Sequence, residues 1–113
     1  MSSVKQNKVS RFIHKILGII FNTHSRDLFG GKFITVTMVR VSPDLSVAKI
    51  YLSLLGSKDG DDIIKMINAV KPKIRHLLAT KTKNQMRKIP ELIFYVDDSF
   101  EYAENIDRLL KND

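Results

Sequence analysis

Near the start of the chain, apolar residues recur at Val9, Phe12, Ile13, Ile16, Leu17 and Ile20. The i, i+3, i+4, i+7 spacing predicts an amphipathic helix. Ser2 or Ser3 can cap it, and it should end near Asn22–His24. SRDLFGG follows, and Gly30-Gly31 marks a loop or tight turn. Phe33–Val41 changes period. Its β-branched residues alternate, with Ile34, Val36 and Met38 on one face and Phe33, Thr35, Thr37, Val39 and Val41 on the other. SPDLS supplies turn chemistry, Pro43 fixing φ and Asp44 able to accept backbone N–H groups. In Val47–Leu55, Ala48, Ile50, Leu52 and Leu54 share a face, opposite Val47, Lys49, Tyr51 and Ser53. Two such runs joined by a short turn predict an antiparallel hairpin.

After the Gly56–Gly60 loop, Asp61–Pro90 reads as helix, break, helix and polar loop. Ile63, Met66, Ile67 and Val70 form the first stripe. Pro72 has no N–H for the preceding turn and disfavours helical geometry at Lys71, so a break or sharp kink is expected at Lys71-Pro72. Pro72 also suits the first turn of a new helix. That helix should turn Ile74, Leu77 and Leu78 inward, with Lys73, Arg75, His76 and Lys81 largely outward. Thr80–Lys88 has no clear period and reads as an exposed loop. Leu92–Val96 is a third strand. Asp97-Asp98-Ser99 can end it and cap a last helix, with Tyr102, Ala103, Ile106, Leu109 and Leu110 on its weak apolar side. The order α-β-β-α-(break)-α-β-α is an α+β pattern, with helices packed on one face of a small sheet.

Composition narrows the class. The 113 residues suit one domain spanning 1–113, and 43% hydrophobic against 27% charged is an ordinary globular balance. No cysteine is present, which excludes disulfides, thiolate metal sites and thiol nucleophiles. No stretch approaches the roughly 20 apolar residues that span a bilayer. Ile16–Phe21 is too short for a secretory signal core. The formal net charge is +7 and is unevenly placed. Residues 1–26 hold Lys5, Lys8, Arg11, Lys15 and Arg26 with no acid. Residues 63–90 hold Lys65, Lys71, Lys73, Arg75, Lys81, Lys83, Arg87 and Lys88, again with no acid. Residues 91–113 are acidic. Lys8, Arg11 and Lys15 fall within about 60° of one another on the polar side of the first helix. Two basic segments able to share a face point to a polyanionic partner.

Catalytic chemistry finds little footing. His14, His24 and His76 are not spaced as metal ligands, and His14 and His76 read as helix-surface residues. Asp97-Asp98 reads as a strand end and helix cap rather than an acid/base pair. No Gly-rich phosphate cradle is present. Tyr51 and Tyr95 can show on the sheet's second face, without the two stacking strips of a sheet-based RNA reader. A hydrolase acting on RNA would have to start from Asp44, Asp97 and Asp98. No metal and no cofactor is expected.

Three stretches together carry a resemblance: Ile34–Gly56 (ITVTMVRVSPDLSVAKIYLSLLG), Ala69–Ala79 (AVKPKIRHLLA) and Lys88–Glu101 (KIPELIFYVDDSFE). The run V-x-V-S-x-D-L-x-x-A-K-x-Y, followed by I-R-x-x-L and P-E-L-x-F, resembles the ribosome-binding factor A family from the first helix to about Leu110. The resemblance implies a type II KH-like fold: α-β-β-α-(kink)-α-β with a short C-terminal helix, the helices on one face of a three-stranded mixed sheet. It implies a factor for assembly of the small ribosomal subunit, binding free, immature 30S subunits and 16S rRNA in late maturation and pre-rRNA processing, often connected with growth in the cold. Ribosomal proteins and other assembly factors are further implied partners. A cytoplasmic monomer with no membrane association is expected. Two departures stand out. The family usually bends its central helices at Ala-x-Gly; here Ala69 matches, but Lys71 stands where Gly would, next to Pro72. The family's Asp-Pro-Arg after the first helix is replaced by Ser25-Arg26-Asp27-Leu28. As in the family, the G-x-x-G clamp of ordinary KH domains is missing, so shape and phosphate recognition is expected rather than single-strand gripping.

The residues expected to neutralise phosphates are Lys8, Arg11 and Lys15 with Lys71, Lys73, Arg75, Lys81, Lys83, Arg87 and Lys88. The kink is assigned to Ala69, Lys71 and Pro72. The competing reading is a basic protein–protein adaptor within ribosome assembly that does not touch RNA.

Overall fold

The computed structural model describes residues 3–54, 60–83, 85–86 and 88–97. The expected last helix, its Asp98-Ser99 cap and Arg87 lie outside the described residues. Helix α1 (Val4–Thr23) leads to a short α2 (Ser25–Phe29), strands β1 (Ile34–Val41) and β2 (Val47–Leu54), helices α3 (Gly60–Ala69) and α4 (Lys71–Lys81), and strand β3 (Glu91–Val96). The sheet order is β1-β2-β3. β1 and β2 are antiparallel, whereas β2 and β3 are parallel. A parallel neighbour demands a crossover, and α3 and α4 supply it. One face of this mixed sheet is buried: Ile34, Val36, Val39 and Val41, then Ala48, Ile50 and Leu52, then Leu92 and Phe94. Ile13, Leu17 and Ile20 of α1, Ile63 and Ile67 of α3, and Ile74 and Leu78 of α4 close the same core.

α1 begins with a capping box. Ser3 Oγ accepts from Gln6 N at 3.1 Å, and Gln6 Oε1 accepts from Ser3 N at 2.9 Å. The same Gln6 side chain, only 9% exposed, donates through Nε2 to the Val41 carbonyl at 3.0 Å. One turn on, Ser10 Oγ accepts from Val41 N at 3.3 Å. Another turn on, His14 Nε2 lies 2.8 Å from the Val36 carbonyl. A carbonyl cannot donate, so Nε2 carries the hydrogen. Gln6, Ser10 and His14 recur every four residues, which puts them on one side of the helix. His14 is therefore half-buried and bonded, not the free surface residue expected.

β1 does not alternate throughout. Its register against β2 shifts between Val36 and Met38. The extra residue reverses the side-chain phase. Val39 and Val41 therefore join Ile34 and Val36 on the buried face, and Met38 is turned out at 38% exposure. The expected grouping of Met38 with Ile34 and Val36 fails for this reason. Thr37 Oγ1 lies 2.7 Å from Asp97 Oδ2 and 3.2 Å from the Tyr51 carbonyl. A hydroxyl has one hydrogen, and the short carboxylate contact takes it.

The SPDLS turn is held by Asp44. Its Oδ1 accepts from Ser42 Oγ and Ser46 Oγ, both at 2.7 Å, and from Ser46 N at 3.1 Å. These bonds, the Ser42 hydroxyl first, lower the Asp44 carboxyl from 3.8 to about 2. Leu45 takes a left-handed φ of 62° while its side chain packs against the core. Gly30 and Gly31, at φ 60° and 83°, make the tight turn after α2. α2 itself occupies SRDLF, expected as loop, because Leu28 and Phe29 are buried and Phe29 meets Phe21 at 4.8 Å between ring centres.

The segment from residue 60 to 81 is two helices. The interruption centres on Val70 (φ −101°, ψ 8°), one residue ahead of the expected Lys71-Pro72 pair. Pro72, lacking an N–H, sits in the first turn of α4, where none is needed. The Val70 carbonyl accepts from Lys73 N and Ile74 N, both at 3.0 Å, and so starts the new helix. The stretch after α4 is less open than its polarity implies. Thr82 is fully buried and donates to the Leu78 carbonyl at 2.7 Å. Its own carbonyl accepts from Gln85 N and Met86 N. Met86 and Ile89 pack on the core.

Two outcomes are expected. His14→Leu leaves the Val36 carbonyl without its donor and lowers stability by about 1–3 kcal/mol in urea unfolding, whereas His14→Gln, which keeps an N–H, loses less. Asp44 has a lowered folded-state pKa, so its contribution is present above the ordinary value of 3.8 and is lost as pH falls toward about 2. Between pH 4 and 2 the melting temperature of the wild-type chain should therefore fall more than that of Asp44→Asn.

Candidate nucleic-acid interface

The buried side of α1 fixes where its cations go. With Ile13, Leu17 and Ile20 inside, Lys8, Arg11 and Lys15 are all exposed on the opposite side. They share one outward face, as the helical spacing implies. α4 packs beside α1, so both helices lie in one layer over the sheet. Its cations spread more widely. Ile74 and Leu78 point to the core, Lys71 is half-buried, and Lys73, Arg75 and Lys81 are exposed. Lys71 and Arg75 are four residues apart on one side of the helix, with Lys73 roughly half a turn round. Arg75 Nη2 reaches the Ile89 carbonyl at 3.4 Å, which points the guanidinium toward the segment carrying Lys88. Lys83 and Lys88 are exposed.

Lys88 does not stand alone. A cleft of about 360 Å³ is lined by Lys5 and Val9 of α1, Met86 and Lys88, and Asp44 and Ser46 of the β1–β2 turn. Lys5 thus joins the N-terminal end of the basic layer to the segment before β3. It is not among the cations that the sequence reading selects. The signal available is its position one turn before Lys8, on the side of α1 that carries Val9.

Among the described residues the single contact of salt-bridge length is His24 Nδ1 with Asp27 Oδ2 at 3.7 Å, which is an ion pair only when the imidazole is protonated. Among the described residues no Lys or Arg side chain is paired with a carboxylate. An exposed cation held by no acid keeps its full capacity to neutralise a phosphate. The acids among the described residues, by contrast, do not converge. Asp44 is engaged in the β1–β2 turn and Asp97 bonds Thr37 at the end of β3. Among the described residues no three His, Asp or Glu side chains gather to hold a metal ion. No helix of the described residues is long and apolar enough to cross a membrane.

The sheet face away from the helices carries a second group. Met38, Tyr51 and Tyr95 occupy paired positions across the three strands. The two tyrosine rings stack, 5.4 Å between centres and 23° between planes. Arg40 and Lys49 form a further pair along β1 and β2, both exposed.

Comparison with known proteins agrees with this architecture. The crystal structure of ribosome-binding factor A from Thermus thermophilus superposes with a TM-score of 0.65 at 19% identity, covering 80% of this chain and 94% of that one. Coordinates of the Thermus thermophilus factor, a homology model fitted into a cryo-EM map of a 30S complex with that factor, match with a TM-score of 0.63 at 21% identity, covering 79% and 91%. These likenesses establish the KH-like fold. Ribosome-binding factor A of Cytophaga hutchinsonii is 48% identical over 110 residues, covering 97% of this chain and 83% of that protein. A sequence model of the family described as ribosome-binding factor A matches residues 5–110. With its fold and nearly all of its sequence accounted for in this way, the chain belongs to the ribosome-binding factor A family.

Proposed function

We propose that this chain binds the free, immature 30S subunit through 16S rRNA and assists late maturation and pre-rRNA processing as a non-catalytic cytoplasmic factor, with a demand that rises in the cold. The observation that carries the RNA contact is the set of exposed cations on α1 and α4, none paired with a carboxylate among the described residues, in a chain whose family is one of ribosome-binding factors. The Thermus thermophilus relative fitted into a 30S complex supports the choice of subunit.

The mechanism follows from the chemistry of the donors. Lys8, Arg11 and Lys15 present three charges on one helix face, and Arg75, Lys81, Lys83 and Lys88 extend them across the layer. Lysine meets phosphate as a point charge, whereas Arg11 and Arg75 can bind it bidentately or stack. Such contacts set register and orientation on a structured RNA without reading its sequence. Lys71, half-buried, contributes less than Lys73. Ala69, Val70 and Pro72 act indirectly, since the bend they make sets the direction of α4 and hence of its cations. Arg87 belongs to the same basic run in sequence.

Six phosphate contacts should make affinity fall by roughly 10³-fold between 50 and 200 mM salt. Tagged protein should sediment with free small subunits and not with assembled ribosomes. Arg11→Glu combined with Lys15→Glu should abolish that co-sedimentation at about 150 mM salt. Subunit binding that barely responds to salt, or that survives the double reversal, would instead favour a protein–protein adaptor.

A further inference from the structure

We infer that the open face of the sheet is a second RNA contact, at which bases of an unpaired RNA segment stack on Tyr51 and Tyr95 while Arg40 and Lys49 hold its phosphates. The inference rests on the RNA-binding reading above and adds a ligand class to it: single-stranded RNA, on the side of the molecule opposite the helices.

Four observations carry it. Among the described residues nothing covers this face, and Tyr95 and Met38 are 39% and 38% exposed on it. Met38, Tyr51 and Tyr95 form one row across the strands, with the tyrosines already stacked at 5.4 Å. Such a row offers flat, polarisable surface of the kind bases stack on. The β-bulge at Val36/Met38 is what turns Met38 out to complete the row.

The charges beside the row are the third observation. Arg40 lies directly opposite Lys49 in the antiparallel ladder, and neither is paired with a carboxylate among the described residues. Like charges directly opposite one another destabilise a sheet. An anion between them removes that cost. The Arg40 guanidinium is moreover fixed over the row, its Nε donating to Met38 Sδ at 3.2 Å. The two rows are two residues apart along the strands, roughly 7 Å, a span that a nucleotide covers from base to phosphate. An acidic peptide would use the two cations but leave the ring faces idle.

Continuity with the helical surface is the fourth. Arg11, on α1, and Met38 line one shallow groove along the β1 edge, and Arg40 lines the groove beside it. Arg11 therefore carries the positive surface of α1 to the edge of β1, beside Met38 and Arg40. A structured RNA on the helices and an unpaired strand leaving it can be held at once.

The chain has three tyrosines and no tryptophan, so tyrosine emission reports the contact directly. The full chain is titrated with a short unpaired RNA and with the same sequence in a duplex. The unpaired RNA should quench tyrosine emission and the duplex should not. Tyr51→Ala and Tyr95→Ala should each weaken single-strand binding about tenfold. Tyr51→Phe and Tyr95→Phe, which keep the ring and the fold, should bind within about twofold of wild type. Arg40→Gln with Lys49→Gln should lower the salt slope by about one unit. Alanine variants that bind the unpaired RNA like wild type overturn the proposal. So do alanine variants that lose thermal stability with unchanged RNA affinity, an outcome that would give the stacked rings a purely structural role. If the single-strand test fails while salt-sensitive subunit binding persists, this site falls and the functional reading stands. If neither RNA nor subunit binds, both fall.

Discussion

Strand β1 lies at the edge of the sheet, where part of its backbone has no neighbouring strand to bond. An exposed edge of this kind invites pairing with other chains. Here α1 answers it with side chains rather than backbone. Gln6 takes the Val41 carbonyl, Ser10 takes the Val41 N–H, and His14 takes the Val36 carbonyl. The three contacts fix the helix in rotation as well as in position. Once they are made, Ile13, Leu17 and Ile20 must face the sheet and Lys8, Arg11 and Lys15 must face solvent. The basic face is thus a consequence of how an edge strand is satisfied.

The same coupling operates on the other side of the sheet. A parallel β2–β3 pair needs a long crossover, and a single straight helix through residues 60–81 would have to bury both of its ends against one small sheet. Splitting it at Val70 lets Ile63 and Ile67 pack from one direction and Ile74 and Leu78 from another. Pro72 in the first turn of α4 keeps the two from fusing, because it cannot donate the bond that a continuous helix requires. A Gly is one way to make such a bend. Proline placed just after it is another, and it leaves position 71 free to carry a charge.

Much of this is legible in the sequence. All three strands, the hairpin and three of the helices follow from period and turn chemistry, because their apolar spacing, the second half of β1 apart, agrees with their final burial. What escapes has a common cause. Strict alternation puts Met38 inward because it runs straight through a bulge that no turn residue announces. His14 and Thr82 read as surface because polarity alone does not match a side chain to a buried carbonyl, although Gln6, Ser10 and His14 are spaced for a single helix side. α2 reads as loop because a five-residue helix has no period to detect and rests on Phe29 meeting Phe21. For the candidate site, the sign and sequence location of the charges are plain. Which of them share a surface is not, since the phase of α4 is set by Ile74 and Leu78 and leaves Lys71 half-buried while Lys73 is free.

The two faces of the sheet then divide the work of the chain on physical grounds. The inner face is committed to the core by every alternate residue, so nothing on it is available to a partner. The bulge in β1 matters because it keeps that commitment intact across a strand whose apolar residues are out of step. Its by-product is a methionine and an arginine delivered to the outer face, next to a tyrosine pair and a lysine. A regular strand in the same register as Val36 would have buried Met38 and Arg40 and exposed Val39 and Val41. The single inserted residue at Thr37, tied to Asp97 at the far end of β3, therefore decides both that the core closes and that the open face carries charge and aromatic surface together.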